Sequence, residues 1–269
     1  MKRVAILYHP RMEKGLELAI KLKDLLAAEG ISSWQCSAWD EDKARSQIAD
    51  SDLIFSIGGD GTILHAAHVS APFAVPILGV NLGKVGFITE IGADELLLGL
   101  SNLLKFRGWV EERAMLEAQV GEESFHALND AVLRTTTVRL INIRVEVDDE
   151  LLAAYRADGV VVATATGSTA YSLAAGGPVL HPQSKEFVIQ PISCHLGLNH
   201  ALVLPSQSSI VLKVSNEDRA ILSLDGQFNL PLKSEQSVTV KLSPYSARFL
   251  RVGKPTYFYG SLSQKLQSK

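Results

Sequence analysis

A buried-strand pattern that empties straight into glycine sets the strongest limit on how this chain can fold. Leu53-Ile-Phe-Ser-Ile57 is apolar but for one serine, Gly58-Gly59-Asp60-Gly61-Thr62 follows at once, and a helix-like stretch continues from Thr62 to Val69. A strand covered on both faces reads as such a run and implies a parallel sheet flanked by helices. Three glycines in four positions let the backbone turn left-handed and let a ligand come close. The free N–H groups and positive dipole end of the next helix complete an anion site suited to phosphate. Asp60 is the oddity, because a carboxylate repels phosphate. It earns a place by taking a proton from an attacking hydroxyl or by holding a divalent metal. The competing reading is a tight turn in which Asp60 caps the following helix. The loop is not the G-x-G-x-x-G fingerprint, since Leu64 stands where the last glycine belongs. Nor is it a Walker A loop, since Gly-Lys-Ser/Thr is missing.

The segments around this loop alternate in the same way. Val4–Tyr8, Ile31–Cys36 and Pro76–Val80 read as strands, and Glu13–Glu29 and Asp94–Lys105 as helices. In the first helix Leu16, Ile20, Leu22, Leu25 and Leu26 come close to a helical stripe, and Gly30 is its stop signal. The pattern predicts an N-terminal open parallel-sheet α/β domain over residues 1–105. After Gly108 the segments become short and strand-like: Leu140–Val147, Leu151–Arg156, Ile210–Val214, Ala220–Leu224 and Val238–Leu242. Asp148-Asp149-Glu150 reads as a hairpin turn. A C-terminal β-rich, sandwich-like domain over 106–269 is expected, with the final residues packing back on the first domain.

Two further places carry candidate chemistry. Thr164-Ala-Thr-Gly-Ser-Thr-Ala-Tyr171 is dense in small hydroxyls and follows the apolar run Val160–Ala163. Its hydroxyls and N–H groups can bond phosphate or ribose oxygens, and Tyr171 can stack on a base. A hydroxyl-rich loop that caps its own helix explains the same residues. Asn129-Asp130 interrupts an apolar stretch, which calls for polar partners such as sugar hydroxyls, or for a simple turn. Asp158 is either a ligand contact or half of an ion pair with Arg156.

Composition narrows the class. The net charge of -3 gives no reason to expect nucleic acid or an anionic membrane as a partner. Only Cys36 and Cys194 occur, far apart, so a disulfide framework is not expected and a cytoplasmic location is. No apolar run approaches the length needed to span a bilayer. His65 and His68 stand at i, i+3 without an evident ligand cluster, so a structural or phosphate-facing role is expected rather than zinc.

Taken together, GGDGT at Gly58–Thr62, Asn129 with an acidic neighbour, and TGSTAY at Thr166–Tyr171 resemble the NAD kinase (ATP-NAD kinase) family. Asn81-Leu-Gly-Lys-Val-Gly-Phe-Ile-Thr89, Glu112-Arg-Ala-Met-Leu116, Arg156-Ala-Asp-Gly159, Gly176-Gly177-Pro178 and Asp225-Gly226 support the likeness, which spans most of the chain. It implies an enzyme that phosphorylates the 2′-hydroxyl of the adenosine ribose of NAD with ATP. The cofactor implied is a divalent cation, Mg²⁺, with protein ligands unassigned, and the assembly is a homodimer or homotetramer. By that likeness Asp60 is the general base with Gly61 beside it, and Gly58, Gly59, Gly61 and Thr62 form the phosphate loop. Asn129 and Asp130 hold the nicotinamide-side ribose. Arg156 and Asp158 sit near the nicotinamide end, from a neighbouring subunit in some relatives. Thr166, Thr169, Ala170, Tyr171, Ser172, Leu173 and Ala174 line the adenosine, with Gln227 a further contact and His65 facing phosphate. The sequence departs from the family's usual pattern at Asp130, where glutamate is common, and at Ala165, where proline is common. A GGDGT-type kinase of another hydroxyl substrate and a non-catalytic NAD-binding module are the alternatives.

Overall fold

In the computed structural model the described residues are 1–83, 86–105, 108–215, 219–233, 236–256, 258–260 and 262. The chain divides into two compact units, residues 1–112 with 246–269, and residues 113–245. The sequence-based boundary at 105/106 touches residues 106 and 107, which lie outside the described residues.

The first unit alternates strand and helix: β1 (Arg3–Tyr8), α1 (Glu13–Ala28), β2 (Ser32–Ser37), α2 (Glu41–Ile48), β3 (Leu53–Ile57), α3 (Asp60–Ser70), β4 (Ile77–Asn81), β5 (Ile91–Gly92) and α4 (Ala93–Lys105). Its strands are parallel in the order β2-β1-β3-β4, with β5 beside β4. Phe249 also pairs in parallel with Ile77. Parallel neighbours require a crossover, which α1 supplies between β1 and β2 and α3 between β3 and β4. β3 and β4 are buried along their whole length, as their apolar runs require.

Two local expectations need correction. The inward face of α1 is Leu18, Ala19, Leu22 and Leu26, while Leu16 and Ile20 point to solvent. At 100° per residue, Leu16 and Ile20 lie about 200° from Leu18 and Leu22, so both pairs cannot face one sheet. The helix α2 was not expected at all. It is short and polar, burying only Ala44 and Ile48, and it starts because the Asp40 carboxylate accepts the Lys43 N–H at 3.3 Å.

The second unit is an antiparallel sandwich. Its strands are β6 (Trp109–Val120) from residue 113 on, β7 (Glu123–Ala127), β8 (Asp130–Thr135), β9 (Ile141–Val147), β10 (Glu150–Ala157), β11 (Gly159–Ala163), β12 (Phe187–Ile192), β13 (Leu202–Leu204), β14 (Ile210–Val214), β15 (Ala220–Leu224), β16 (Phe228–Pro231) and β17 (Ser237–Arg251) up to residue 245, and its described residues include the short helix α5 (Tyr171–Ala174). One sheet runs β13-β12-β11-β8-β15-β16. The other pairs β10 with β9, β9 with β14, and β14 with the first residues of β17. Leu133, Val160, Phe187 and Leu222 of the first sheet meet Ile143, Val145, Leu212 and Val240 of the second in one core. Asp148 and Asp149 both take positive φ, 52° and 67°, the geometry of a two-residue hairpin turn that matches strand twist. Among the described residues no helix is long and apolar enough to cross a membrane.

Candidate active site

The glycine loop sits at the carboxyl end of β3, where open α/β sheets place ligands. Gly58 begins it because nothing larger fits: a Cβ there would collide with the Thr62 side chain. Gly59 and Gly61 face open space, leaving room above the backbone. Asp60 is the first residue of α3 and does not cap that helix, since the N-cap, Gly59, has no side-chain bond. Its carboxylate instead accepts the N–H of Phe87 at 2.8 Å and of Ile88 at 3.1 Å. Gly86 must be glycine, because a Cβ would overlap the Asp60 carboxylate. The segment around it is stitched by Asn81, which accepts the Gly83 N–H and donates to the Ile91 carbonyl, and by Thr89, whose hydroxyl accepts the Gly86 N–H. Residues 84 and 85 of this motif lie outside the described residues.

A buried cation braces the same segment. Arg251 donates to the Ile88 carbonyl at 3.0 Å, to Glu90 at 2.9 Å and to Glu111 at 2.7 Å, and its guanidinium lies 5.0 Å from the Phe249 ring centroid. Ile88 thus takes Arg251 on its carbonyl and Asp60 on its N–H, which ties the position of the carboxylate to a residue near the C-terminus. Replacing Arg251 by methionine strands two buried carboxylates. The expected loss is about 3–5 kcal/mol of unfolding free energy, read from urea denaturation. An unchanged midpoint would refute the brace.

His65 lies on the buried face of α3, and its Nδ1 is 2.9 Å from Glu41 Oε1. The Nδ1 of His68 is 3.8 Å from the same oxygen. The Trp39 ring packs on His65 at 4.3 Å between centroids. Burial pushes the Glu41 carboxyl up, but hydrogen bonding and the positive field of the two imidazoles more than reverse this and hold it at about 2. The sequence reading of these histidines overlooked Glu41, which sits in the unexpected helix α2.

In the second unit a cavity of about 370 Å³ is lined by Asn129, Asp130, Val132, Arg134, Ala170, Tyr171, Ser223, Asp225 and Gly226. The Asn129-Asp130 backbone is clamped from two sides. Asp225 and Gly226 form a positive-φ turn between β15 and β16, and the Asp225 carboxylate accepts three consecutive N–H groups, those of Leu128 (2.8 Å), Asn129 (2.6 Å) and Asp130 (3.0 Å). On the other side Thr164 donates its hydroxyl to the Leu128 carbonyl at 2.6 Å and its N–H to the Asn129 carbonyl at 2.9 Å. Gly167 packs so tightly there that a Cβ would fall on the Asn129 carbonyl.

Burial first, and then the negative charge of Asp225, push the Asp130 carboxyl up to about 7. The native state keeps a proton that the unfolded chain releases near pH 4. Stability should therefore fall as pH rises from about 4 to 7, by about 4 kcal/mol at most. Asp130→Asn removes the ionisation and should flatten that slope, so urea midpoints at pH 5 and pH 8 should differ less in the variant. Equal slopes in both proteins would contradict the shift.

The remaining candidates divide. Ser168 and Thr169 donate their hydroxyls to the Ala165 and Thr166 carbonyls, so both are partly spent on their own turn. Among the described residues the buried Thr166 and Ser172 hydroxyls have no protein partner, whereas a buried hydroxyl ordinarily has one. Tyr171 stands half-exposed at the cavity rim, and Leu173 and Ala174 follow in α5. Gln227 closes the Asp225-Gly226 turn through its N–H. Arg156 lines a different cavity, of about 540 Å³, with Asn142, Arg144 and Lys213. Asp158 lies between β10 and β11, donates its backbone N–H to the Ile192 carbonyl and accepts the Thr135 N–H on its own carbonyl, and among the described residues no ion pair links it to Arg156.

Comparison with known proteins decides what these pieces belong to. Residues 3–106 match the ATP-NAD kinase N-terminal domain and residues 128–252 the ATP-NAD kinase C-terminal domain. The chain belongs to the ATP-NAD kinase family. It is 42% identical to the NAD kinase of Dehalococcoides mccartyi strain CBDB1, over 99% of this chain and 96% of that one. It is 37% identical to the NAD kinase of Chloroflexus aurantiacus strain J-10-fl, over 99% of each. Solved structures share the fold at 24% identity: a yeast NADH kinase complexed with NADH, TM-score 0.84 over 97% of this chain and 86% of that one, and an Archaeoglobus fulgidus NAD kinase in complex with ATP, TM-score 0.81 over 99% of each.

As an ATP-NAD kinase the chain reveals two supports that its motifs hid. Arg251 carries no local signature, being one basic residue in a β-strand. Asp225 does carry a faint one: Asp-Gly between two apolar runs predicts a tight turn, although not that the aspartate side chain would gather three amides.

Proposed function

We infer that this ATP-NAD kinase transfers the γ-phosphoryl group of ATP to the 2′-hydroxyl of the adenosine ribose of NAD, giving NADP and ADP. The observation that carries this is the Asp60 carboxylate, gripped by the Phe87 and Ile88 amides inside a glycine loop and not used as a helix cap. Two amide bonds leave lone pairs on both carboxylate oxygens. As the ribose oxygen bonds to phosphorus and the β–γ bridge breaks, Asp60 accepts the hydroxyl proton and ADP leaves. The N–H groups of the loop and the start of α3 take the developing phosphate charge, so positioning and neutralisation do most of the work. Mg²⁺ fits as the companion of the triphosphate, because it favours phosphate oxygens and water over protein nitrogen, and when bound it offsets charge on the phosphates. Asn129, Asp130 and Tyr171 of the second unit hold the nucleosides, with the unpartnered Thr166 and Ser172 hydroxyls as further donors.

Incubation with ATP, Mg²⁺ and NAD, followed by a dehydrogenase specific for NADP, tests this directly. ATP-dependent appearance of NADP is expected. NAD binding without product would mark a sensing module, and phosphorylation of another alcohol in preference to NAD would mark a different kinase. A cytoplasmic location agrees with two free thiols. A homodimer or homotetramer, with Arg156 and Asp158 serving a neighbouring copy, is expected by sedimentation of the purified chain.

A further inference from the structure

We propose that Glu41, His65 and His68 form a binding site for a divalent metal of the zinc class, separate from the magnesium that travels with ATP. The three side chains come from two helices, α2 and α3, and each offers one ligand atom, all within 4.8 Å of one another. Glu41 Oε1 is 2.9 Å from His65 Nδ1 and 3.8 Å from His68 Nδ1. Ligands on a tetrahedral zinc at about 2.0–2.2 Å stand about 3.4 Å apart, so these separations bracket what a shared ion requires. At its longer separation His68 stands beyond ordinary hydrogen-bond distance of the oxygen that accepts from His65. A metal would join all three.

The surroundings suit such an ion. The imidazoles are buried and the carboxylate nearly so, with side-chain exposures of 8%, 4% and 18% for His65, His68 and Glu41. Trp39 covers His65 from one side and itself meets His9, whose ring lies 4.7 Å away. Two nitrogens and one carboxylate are the ligand set of open three-residue zinc sites, with water in the fourth place. They do not suit Mg²⁺, which takes oxygen ligands in octahedral geometry. The ion would pin α2 to α3, the helix that begins at Asp60, and His65 stands about 7.5 Å along the axis from that residue at 1.5 Å per step. The site is independent of which alcohol the enzyme phosphorylates.

The full-length protein, stripped with a chelator, is titrated with Co²⁺. One ion per chain with the intense visible bands of tetrahedral cobalt is expected, displaced by Zn²⁺ and unaffected by millimolar Mg²⁺. Bound Co²⁺ should quench Trp39, so quenching should shrink in Trp39→Phe. Glu41→Gln and His68→Gln should each weaken binding at least tenfold. Nitrogen NMR of the wild-type chain locates the ion should a variant fail to fold, because Zn²⁺ must move the Nδ1 signals of His65 and His68. Absence of the cobalt bands, displacement by Mg²⁺, unmoved Nδ1 signals or undiminished affinity in both folded variants would each overturn the site.

Discussion

Asp60→Asn is expected to lower turnover by roughly 10²- to 10⁴-fold, the usual cost of removing a positioned general base. Both carboxylate oxygens of Asp60 accept a backbone N–H, from Phe87 and from Ile88. An amide has one acceptor oxygen, so its NH₂ group would confront one of those donors. The loop around Gly86 should loosen by the cost of one unmet bond, about 1–3 kcal/mol. NAD binding, followed by calorimetry, should survive, because the cavity lined by Asn129, Asp130 and Tyr171 contains none of these atoms. Turnover within a few-fold of wild type would remove Asp60 from the chemistry. Loss of NAD binding together with activity would instead make its role one of shape.

Asp225→Ala should do the greatest damage in the second unit. Three consecutive N–H groups at 2.6–3.0 Å end on that carboxylate. Hydrogen bonds to a charged acceptor contribute about 1.5–3 kcal/mol each, so a loss of at least about 4 kcal/mol is expected in urea denaturation. Asp225→Asn keeps one acceptor oxygen and should lose less. Because the three amides belong to Leu128, Asn129 and Asp130, the same variant should also weaken NAD binding, through a misplaced turn and not through a lost ligand contact. Full stability with weakened binding would mean that Asp225 touches the ligand itself.

The local pieces of this protein were legible to differing degrees, for reasons that lie in particular residues. The passage from β3 through the glycine loop to α3 was readable because a strand buried on both faces admits only apolar residues, and because glycine marks where a Cβ cannot go, as at Gly58. The hairpin at Asp148-Asp149 was readable because few residue pairs tolerate two positive φ angles. The helix α2 was not readable, since its polar residues show almost no periodicity and two buried positions, Ala44 and Ile48, suffice to seat it. The inward face of α1 was misjudged because five leucines and isoleucines offered two overlapping stripes, and only contact with the sheet selects between them.

By itself, the sequence determined the class of each half, the place of the glycine loop and the family, and it singled out Asp60, Asn129, Asp130 and Thr166–Tyr171 as candidates. These depend on local periodicity and on residue types that short-range backbone geometry demands. Tertiary structure alone decided that Arg251 braces Ile88 from more than 160 positions away, that Asp225 gathers the amides before β8, and that Glu41 meets two histidines of α3. Each is a long-range electrostatic or hydrogen-bonded contact between groups with no sequence spacing in common. Nothing but the packed chain brings such groups within 3 or 4 Å of each other.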